Sequence, residues 1–186
     1  MNMGEPKMAP QALSVEDYLA SEEAADERHE FIDGIVYAMV GKTLVHNSLA
    51  GGIYAALRPQ LKSPCRAYMS DIKLRIETRG STIFYYPDVM VSCSRHDPKS
   101  HWIDDPSLLV EVLSPSTERI DRTEKLMAFT QIGSLQDYLL VAQDQARVEV
   151  FSRDAEWKPR VYGPGETITI AGLGVTLELD QLYAET

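Results

Sequence analysis

The sequence is poor in cysteine and has no long apolar run. Its 186 residues include only two cysteines, Cys65 and Cys93, without paired spacing, which fits reduced thiols in a cytoplasmic protein and no disulfide framework. No apolar stretch approaches the roughly 18 residues that suggest a membrane span. The first residues, MNMGEPKMAPQAL, contain no apolar segment of a secretory signal. We therefore predict a disordered lead at 1–13, one cytoplasmic domain at 14–186, and no membrane partner.

Zinc-ligand spacing is also missing. None of the four histidines is spaced from a cysteine as in a zinc site; they are His29, His46, His96 and His101. Hydrophobic residues make up 44% of the chain and charged residues 25%, which is ordinary for a globular protein. The composition therefore predicts a single domain with a substantial core.

Basic residues are outnumbered, with 18 Lys and Arg against 28 Asp and Glu and a net charge of −10. Such a charge disfavours nucleic acid, which is itself a polyanion. The charge is unevenly distributed, however: residues 14–33 hold eight acids and one base, for −7, and residues 42–79 hold seven bases and two acids, for +5. The basic segment is compatible with a patch that faces phosphate, although charge alone favours two ordinary solvated faces.

Periodicity and turn signals predict a mixed α/β domain, with a sheet flanked by helices and extra strands at the C-terminus. The predicted helices are 14–29, 43–61 and 118–132. The predicted strands are 34–41, 66–77, 82–93, 107–113, 137–142 and 147–151, with turns at Asp33–Gly34 and Arg79–Gly80 and an alternating tail.

Two of the predicted core strands each carry a carboxylate near the middle. Asp88 lies in FYYPDVMV (84–91), and Glu111 lies in SLLVEVLSP (107–115). An ionised carboxylate is costly to bury unless it is paired, hydrogen-bonded or bound to a metal. The pattern indicates a shared cation site, and the alternative is that each acid faces solvent at a sheet edge or end.

A lysine in the following helix can reach Glu111. The strand continues roughly 10 Å beyond Glu111 at about 3.3 Å per residue, and Lys125 lies roughly 10 Å back along the next helix at about 1.5 Å per residue. Asp121 precedes Lys125 by four residues and therefore shares its helix face. Carboxylates of this kind, together with phosphate oxygens and water, are the usual ligands of Mg²⁺. A lysine that is only part of an exposed helix face remains the alternative.

The order of these segments resembles the Uma-two family, a bacterial branch of the restriction-endonuclease-like PD-(D/E)XK nucleases. The resemblance runs from about Ser14 to the C-terminal strands, and LLVEVLSPST is its most specific segment. The matching segments are EFIDG (30–34), YYPDVMV (85–91), LLVEVLSPST (108–117), DRTEK (121–125) and DYLLV (137–141).

The resemblance implies a restriction-endonuclease-like core and a role for each matching residue. Asp88 and Glu111 are the expected metal carboxylates, Glu30 at the end of the first helix is the expected third, and Lys125 is the expected catalytic lysine. The superfamily usually has a lysine two residues after the second acid, where this chain has Leu113. In this branch the lysine has moved to the following helix.

Two departures from the family pattern affect nearby positions. Phe129 stands where tyrosine is more usual, so a hydroxyl is missing there, and Leu139 replaces the tryptophan of an EYW segment. Further candidates for phosphate or DNA contact are His46, Lys42, Lys73 and Arg75, each of which also has an ordinary structural explanation.

The resulting expectation is a Mg²⁺- or Mn²⁺-dependent endonuclease that cuts DNA in preference to RNA and that could act as a homodimer. Asp88, Glu111 and Lys125 are its expected catalytic residues. The alternative is a non-catalytic module that keeps the nuclease fold and binds a protein or nucleic-acid partner. The acidity of the chain and Leu113 favour the alternative, whereas the retention of all four charged candidates favours the enzyme.

Overall fold

The structure is a computed structural model that describes residues 12–39, 41–78 and 80–184. Its helices are α1 (Val15–Ala24), α2 (Leu44–Leu57), α3 (Glu118–Ile120), α4 (Leu126–Thr130) and α5 (Leu179–Leu182), and a π-helical turn, Asp121–Lys125, joins α3 to α4. Its strands are β1 (His29–Ile32), β2 (Ile35–Ala38), β3 (Arg66–Met69), β4 (Lys73–Thr78), β5 (Ser81–Tyr85), β6 (Val89–Ser92), β7 (Trp102–Ile103), β8 (Pro106–Val112), β9 (Asp137–Val141), β10 (Val148–Ser152), β11 (Pro159–Tyr162), β12 (Thr167–Ile170) and β13 (Val175–Glu178).

The strands form two large mixed sheets and a hairpin. The first sheet has six strands in the order β11-β10-β9-β8-β6-β3, and the second has five in the order β2-β1-β5-β4-β7. Strands β8 and β9 are parallel, as are β4 and β7, while the other pairs are antiparallel. Strands β12 and β13 make the separate hairpin. The predicted mixed α/β class, with extra C-terminal strands, is confirmed.

The six-stranded sheet separates two hydrophobic cores, because successive side chains of a strand point to opposite faces. On one face, Val110 and Val112 pack in a cluster with α2, α5 and the β12–β13 hairpin. On the other face, Leu109 and Leu113 pack in a cluster with α4 and the five-stranded sheet. Glu111 therefore points toward the second core, from the middle of a buried strand.

The predicted strands 66–77 and 82–93 are each two strands that belong to different sheets. The chain passes from β3 in the six-stranded sheet to β4 in the five-stranded sheet through residues 70–72, where Ser70 has a φ of 58°. It returns from β5 to β6 through residues 86–88. Each crossing is only three residues long, Ser-Asp-Ile at 70–72 and Tyr-Pro-Asp at 86–88, and so short a break in the hydrophobic pattern does not show a change of sheet.

Helix boundaries also differ from the prediction. Helix α1 ends at Ala24 rather than near residue 29, because Glu22 turns back to accept a hydrogen bond from the His29 backbone N–H at 2.9 Å. Helix α2 begins after Thr43, whose hydroxyl accepts from the His46 N–H at 3.1 Å, as a cap requires. The predicted helix 118–132 ends at Thr130 and contains the π-helical turn.

The prediction of unpaired, reduced cysteines is wrong. Arg66 of β3 lies opposite Ser92 of β6, so the next antiparallel pair is Cys65 and Cys93, and their sulfurs are bonded at 2.01 Å. The two cysteines are 28 residues apart in sequence. Only the register of two strands, which the sequence does not show, brings them together.

Some predictions concern residues outside the described ranges. Residues 1–11 of the predicted disordered lead, Val40 of the predicted second strand and Arg79 of a predicted turn lie there. Leu13, at the end of the predicted lead, is held in place by a 2.9 Å hydrogen bond from its N–H to the Gly34 carbonyl. Within the described part of the chain, no helix has the length and apolar character to cross a membrane.

Candidate active site

Asp88 and Glu111 lie beside each other at one end of the six-stranded sheet. Val89 of β6 pairs with Val110 of β8, so Asp88 stands opposite Glu111 one step further along the antiparallel register. Both residues are buried, at 7% and 2% exposure. Directly opposite residues of a strand pair have Cβ atoms about 4.5–5.5 Å apart, so the register brings the two predicted carboxylates together.

The Lys125 ammonium lies among three carboxylates from three different elements. Its Nζ is 2.9 Å from Glu111 Oε1 on β8, 3.0 Å from Glu30 Oε1 on β1 and 3.4 Å from Asp121 Oδ1 on the π-helical turn. The reach estimated from helix and strand rise therefore agrees with the structure. Leu113, at the position where the resemblance leads one to expect a lysine, packs into the second core.

The π-helical turn positions Asp121 and Lys125 on the buried side of the helical segment. Both side chains are almost fully buried, at 1% and 5% exposure. The intervening Arg122 points the other way and binds Glu118 and Glu149, each at 2.8 Å. Asp121 Oδ1 makes an ion pair with Lys125 but has no hydrogen-bond partner among the described residues, so it is a buried acceptor with unused capacity.

Asp88 has cationic partners of its own. Its Oδ2 accepts a 2.8 Å hydrogen bond from the Val112 N–H and lies 3.1 Å from His46 Nε2. Its Oδ1 lies 3.5 Å from Lys42 Nζ. Burial raises the pKa of Asp88, but His46 and Lys42 outweigh it, and the pKa falls below its ordinary value. Asp88 is therefore a carboxylate held in its ionised form.

Glu111 and Lys125 form a buried pair with strongly shifted acidities. Burial, together with the charges of Asp88 and Asp121, raises the pKa of Glu111 well above its ordinary value. Burial alone would lower the pKa of Lys125, but the surrounding charges of Glu111, Glu30 and Asp121 raise it well above its ordinary value. Lys125 is thus a permanent cation, and Glu111 is costly to ionise without one.

Two cavities open onto this cluster. The larger, about 450 Å³, is called the active-site cavity; it is lined by the charged residues Glu30, Lys42, Glu111, Arg119, Asp121, Glu124 and Lys125, and by apolar residues of β2. A smaller cavity of about 120 Å³ lies next to it and is lined by Asp88 and His46. Met39 and Lys42 line both cavities, so the two carboxylates face adjoining spaces.

The structure places the remaining predicted residues differently. Glu30 lies on strand β1 and not at the end of the first helix, because α1 stops six residues before it. Lys73 is buried at 8% exposure over the Tyr86 ring, and Arg75 is held by Asp104 at 2.7 Å. Neither Lys73 nor Arg75 lines the active-site cavity.

Phe129, the departure from the family pattern, is a core residue. It is fully buried and meets Tyr85 and Tyr138 edge-on, with ring centroids 5.6 and 5.0 Å away. Leu139 is likewise fully buried, in the first core. These two positions therefore contribute packing.

Sequence reasoning missed a buried network around Glu22. Glu22 is 2% exposed, and its carboxylate accepts from the Tyr86 hydroxyl at 2.8 Å and from the His29 N–H. The acidic run 22–27 reads as a solvated helix face, and no pattern distinguishes Glu22 within it. The network joins α1 to β1 and to Tyr86 in the connection between β5 and β6. It therefore helps to hold in place the segment that carries Asp88.

The donor atoms around Lys125 and Asp88 suit a hard divalent cation. Within the described ranges, no three His, Cys, Asp or Glu residues are arranged to hold a metal together. Mg²⁺, however, commonly takes only one or two carboxylates and completes its shell with water and phosphate oxygens. Asp88 and Glu111 supply two, and Asp121 Oδ1 is an unused buried acceptor beside them. The residue types therefore fit such an ion, and two lysines, Lys42 and Lys125, lie beside the same carboxylates.

Comparison with known proteins supplies the classification. The family model Uma2, described as "Putative restriction endonuclease", matches residues 15–181, which is nearly all of the described chain. The chain belongs to the Uma2 family. The expected resemblance is thereby confirmed, and with it a nuclease-like fold.

Relatives of this Uma2 protein occur in Synechocystis sp. strain PCC 6803. Protein slr1290 is 35% identical over 176 residues, covering 92% of this chain and 91% of the relative. Protein sll1609 is 33% identical over 151 residues, covering 78% and 84%. A crystal structure titled as a putative nuclease belonging to DUF820 from Anabaena variabilis superposes with a TM-score of 0.69 at 16% identity, covering 92% of this chain and 98% of that one. This last similarity establishes the fold.

Proposed function

We propose that this Uma2 protein is a metal-dependent nuclease that hydrolyses phosphodiester bonds in DNA. The observation that carries the proposal is the pair Asp88 and Glu111, opposite each other on β6 and β8, with Lys125 Nζ 2.9 Å from Glu111. The family description supports nuclease chemistry in general. The choice of DNA and of a metal is the proposal's own.

Asp88 and Glu111 would hold one Mg²⁺ or Mn²⁺ ion, with Glu30 as a third carboxylate. A divalent ion bound there supplies a water of lowered pKa and offsets the charge of the phosphodiester. The low pKa of Asp88 keeps that carboxylate ionised. The cost of ionising buried Glu111 gives the site a reason to attract cations.

Lys125 would act as a fixed positive charge and hydrogen-bond donor, not as a base. Its raised pKa keeps the ammonium protonated at neutral pH. From its place beside Glu111 it can orient the attacking water or stabilise negative charge that develops on the phosphate. Lys42, at 31% side-chain exposure and lining both cavities, is placed to contact a neighbouring phosphate.

Calorimetric titration of Mn²⁺ into the wild type and into Asp88→Asn and Glu111→Gln variants tests the metal site. We expect saturable binding in the wild type and at least a tenfold weaker affinity in each variant, because each loses a charged oxygen ligand. Plasmid and RNA cleavage with Mg²⁺ or Mn²⁺ then tests activity and substrate. DNA cleavage that both variants lose is the expected result.

Asp144→Asn is the matched control, since Asp144 is an exposed acid outside both cavities. It should bind Mn²⁺ and cleave DNA as the wild type does. Absence of Mn²⁺ binding to the wild type, with and without DNA, contradicts the metal site. Binding without cleavage of either nucleic acid contradicts the enzymatic function.

A homodimer and a cytoplasmic location complete the proposal. Two protomers would cut both strands of a duplex, and the molar mass in solution from light scattering, measured on the same preparation, tests this. The cytoplasmic location rests on the sequence, and the Cys65–Cys93 bond is an observation against it, since disulfides persist mainly in oxidising compartments.

A non-catalytic nuclease-fold module is the second candidate. The observation in its favour is that Asp88 and Glu111 each already have an ion-pair partner without a metal, Lys42 for Asp88 and Lys125 for Glu111. Nucleic-acid or protein binding with neither Mn²⁺ binding nor cleavage is the result that would support it.

A further inference from the structure

A second cavity, which shares no lining residue with the active-site cavity, combines two arginines with aromatic rings. This cavity of about 450 Å³, called the arginine cavity, lies between the edge strands β3 and β7 of the two sheets; its lining includes Arg66, Tyr68, Arg95, His96 and Trp102. Its volume falls within the range of small-ligand sites. Nothing in the proposed hydrolytic chemistry uses it.

The charges of this cavity are available to a ligand. Arg66 and Arg95 are exposed, and in the described part of the chain neither has an acidic partner. The acid within the lining, Asp97, is exposed and caps a turn by accepting from the Lys99 N–H at 2.9 Å. Two arginines against one exposed acid give this cavity a locally positive lining in a chain of net charge −10, and such a lining attracts anions.

The walls of the cavity are held firmly in place. The Cys65–Cys93 bond links the segment that carries Arg66 to the segment that carries Arg95. His96 Nε2 lies 2.8 Å from the buried Ser92 hydroxyl and 3.3 Å from Asp105, and its ring meets Tyr68 edge-on at 6.3 Å. The backbone segments that carry the two arginines are therefore restrained by these contacts.

A route along strand β3 connects the arginine cavity to the proposed catalytic site. The small cavity beside Asp88 is lined by Lys42 at one side and by Met69 and Ser70 at the other. From Met69, the free edge of β3 leads back three residues to Arg66, a distance of about 10 Å. Between Asp33 and Asp71 the sequence contains no acidic residue, so strand β3 adds no repulsive side chain. Asp71, which lines the small cavity, is paired with Arg28 at 3.1 Å.

We propose that a nucleic-acid strand follows this route, with its phosphates bound by Arg66 and Arg95 and a base contacting Tyr68 or Trp102 in the arginine cavity. Arginine recognises phosphate through its forked donors, and aromatic rings stack bases without sequence preference. The inference rests on the proposed nuclease function for its choice of ligand. The proposed binding surface lies about 10 Å along β3 from the small cavity beside Asp88.

Fluorescence anisotropy of labelled single-stranded and duplex oligonucleotides, in chelator and without metal, tests this surface. We expect Arg66→Glu/Arg95→Glu to weaken binding at least tenfold and to lower the slope of log affinity against log salt by about two, one for each lost phosphate contact. Arg66→Ala/Arg95→Ala should give a smaller loss in the same direction. Thermal unfolding of each variant checks that the fold is intact.

Lys158→Glu/Arg160→Glu is the matched control, because it changes the net charge equally at the opposite edge of the six-stranded sheet, on and beside β11. If both double variants weaken binding equally, the effect is one of total charge and the proposed surface is wrong. A free mononucleotide that competes as well as the oligonucleotide also overturns it, by indicating a small-molecule site.

The outcomes for this surface and for catalysis are separable. If the protein binds oligonucleotide through Arg66 and Arg95 but does not cleave it, the proposed binding surface is supported and the proposed nuclease function is wrong. If DNA cleavage depends on Asp88 and Glu111 but the affinity for oligonucleotide is unchanged in the arginine variants, the proposed function is supported and the proposed binding surface is wrong.

Discussion

At the scale of single residues, the site is dominated by the shortage of positive charge around buried acids. In the described part of the chain, Lys125 is the one cation paired with Glu30, Glu111 and Asp121, at 2.9–3.4 Å. Burying several like charges is tolerable only if a cation lies among them. The three carboxylates exceed the single positive charge of Lys125, so this cluster favours the binding of a second cation.

Replacing Lys125 with alanine should destabilise the metal-free protein strongly. The buried carboxylates of Glu111 and Asp121 and the half-buried one of Glu30 would lose their cation, and removal of one partner of a buried ion pair typically costs about 3–5 kcal/mol. Mn²⁺ should raise the unfolding temperature of Lys125→Ala more than that of the wild type, since the carboxylates would then be free to bind it. Thermal denaturation with and without Mn²⁺ measures both effects.

Lys158→Ala is the control for this prediction, because Lys158 is 77% exposed in its ion pair. Its unfolding free energy should stay within about 0.5 kcal/mol of the wild type. A Lys125→Ala variant as stable as this control would show that the three carboxylates are protonated or hydrated and that no charge cluster exists.

At the scale of secondary-structure elements, the π-helical turn is the feature on which the site depends. It points Asp121 and Lys125 inward while Arg122 fastens the turn to β10 through Glu149. π-Helical turns of this kind occur often at functional sites. The hydrogen bonds of Arg122 lower the pKa of Glu149 below its ordinary value, so the attachment depends on pH.

Glu149→Gln should reduce stability only where Glu149 is ionised. A carboxyl whose pKa is lower in the folded state contributes stability above its unfolded pKa, near the ordinary 4.5, and loses it as pH falls through the folded value. The variant should therefore be less stable than the wild type by about 1 kcal/mol at pH 7. The difference should shrink below pH 4.5.

Chemical denaturation across pH 3 to 7 provides the measurement, with Glu156→Gln as the control on an exposed pair. A deficit that is constant at every pH would mean that Glu149 acts through packing and not through its charge.

At the scale of the whole molecule, the chain changes sheets twice, and the disulfide joins the strands on either side of that excursion. Strand β3 leaves the six-stranded sheet, β4 and β5 belong to the other sheet, and β6 returns beside β3. The bond between Cys65 and Cys93 encloses the entire excursion. It thus fixes the sheet end that carries the arginine cavity.

Reduction of this bond should lower the free energy of unfolding by about 3–4 kcal/mol, the loop-closure value for a loop of 28 residues. Denaturation of wild type, with and without reductant, measures the change. The unfolding free energy of Cys65→Ala/Cys93→Ala should be close to that of the reduced protein and should not change with reductant. Two alkylatable thiols in the unreduced, denatured wild type would show that the bond is absent.

The sequence by itself determined the mixed α/β class and picked out the candidate residues that the structure brings together. Asp88 and Glu111 are recognisable because acids are out of place in apolar strands, and Lys125 because strand and helix rise are nearly invariant. The helical spacing of apolar residues placed the start of α2 at Thr43, where the structure shows the cap.

Only the tertiary structure decided how these residues are paired. It placed Glu30 on a strand and put Lys42 and His46 beside Asp88. It also joined Cys65 to Cys93 and brought Arg66 and Arg95 to one cavity. These outcomes depend on strand register and on which sheet a strand joins. Both are settled by packing between distant segments, so no local pattern in the chain records them.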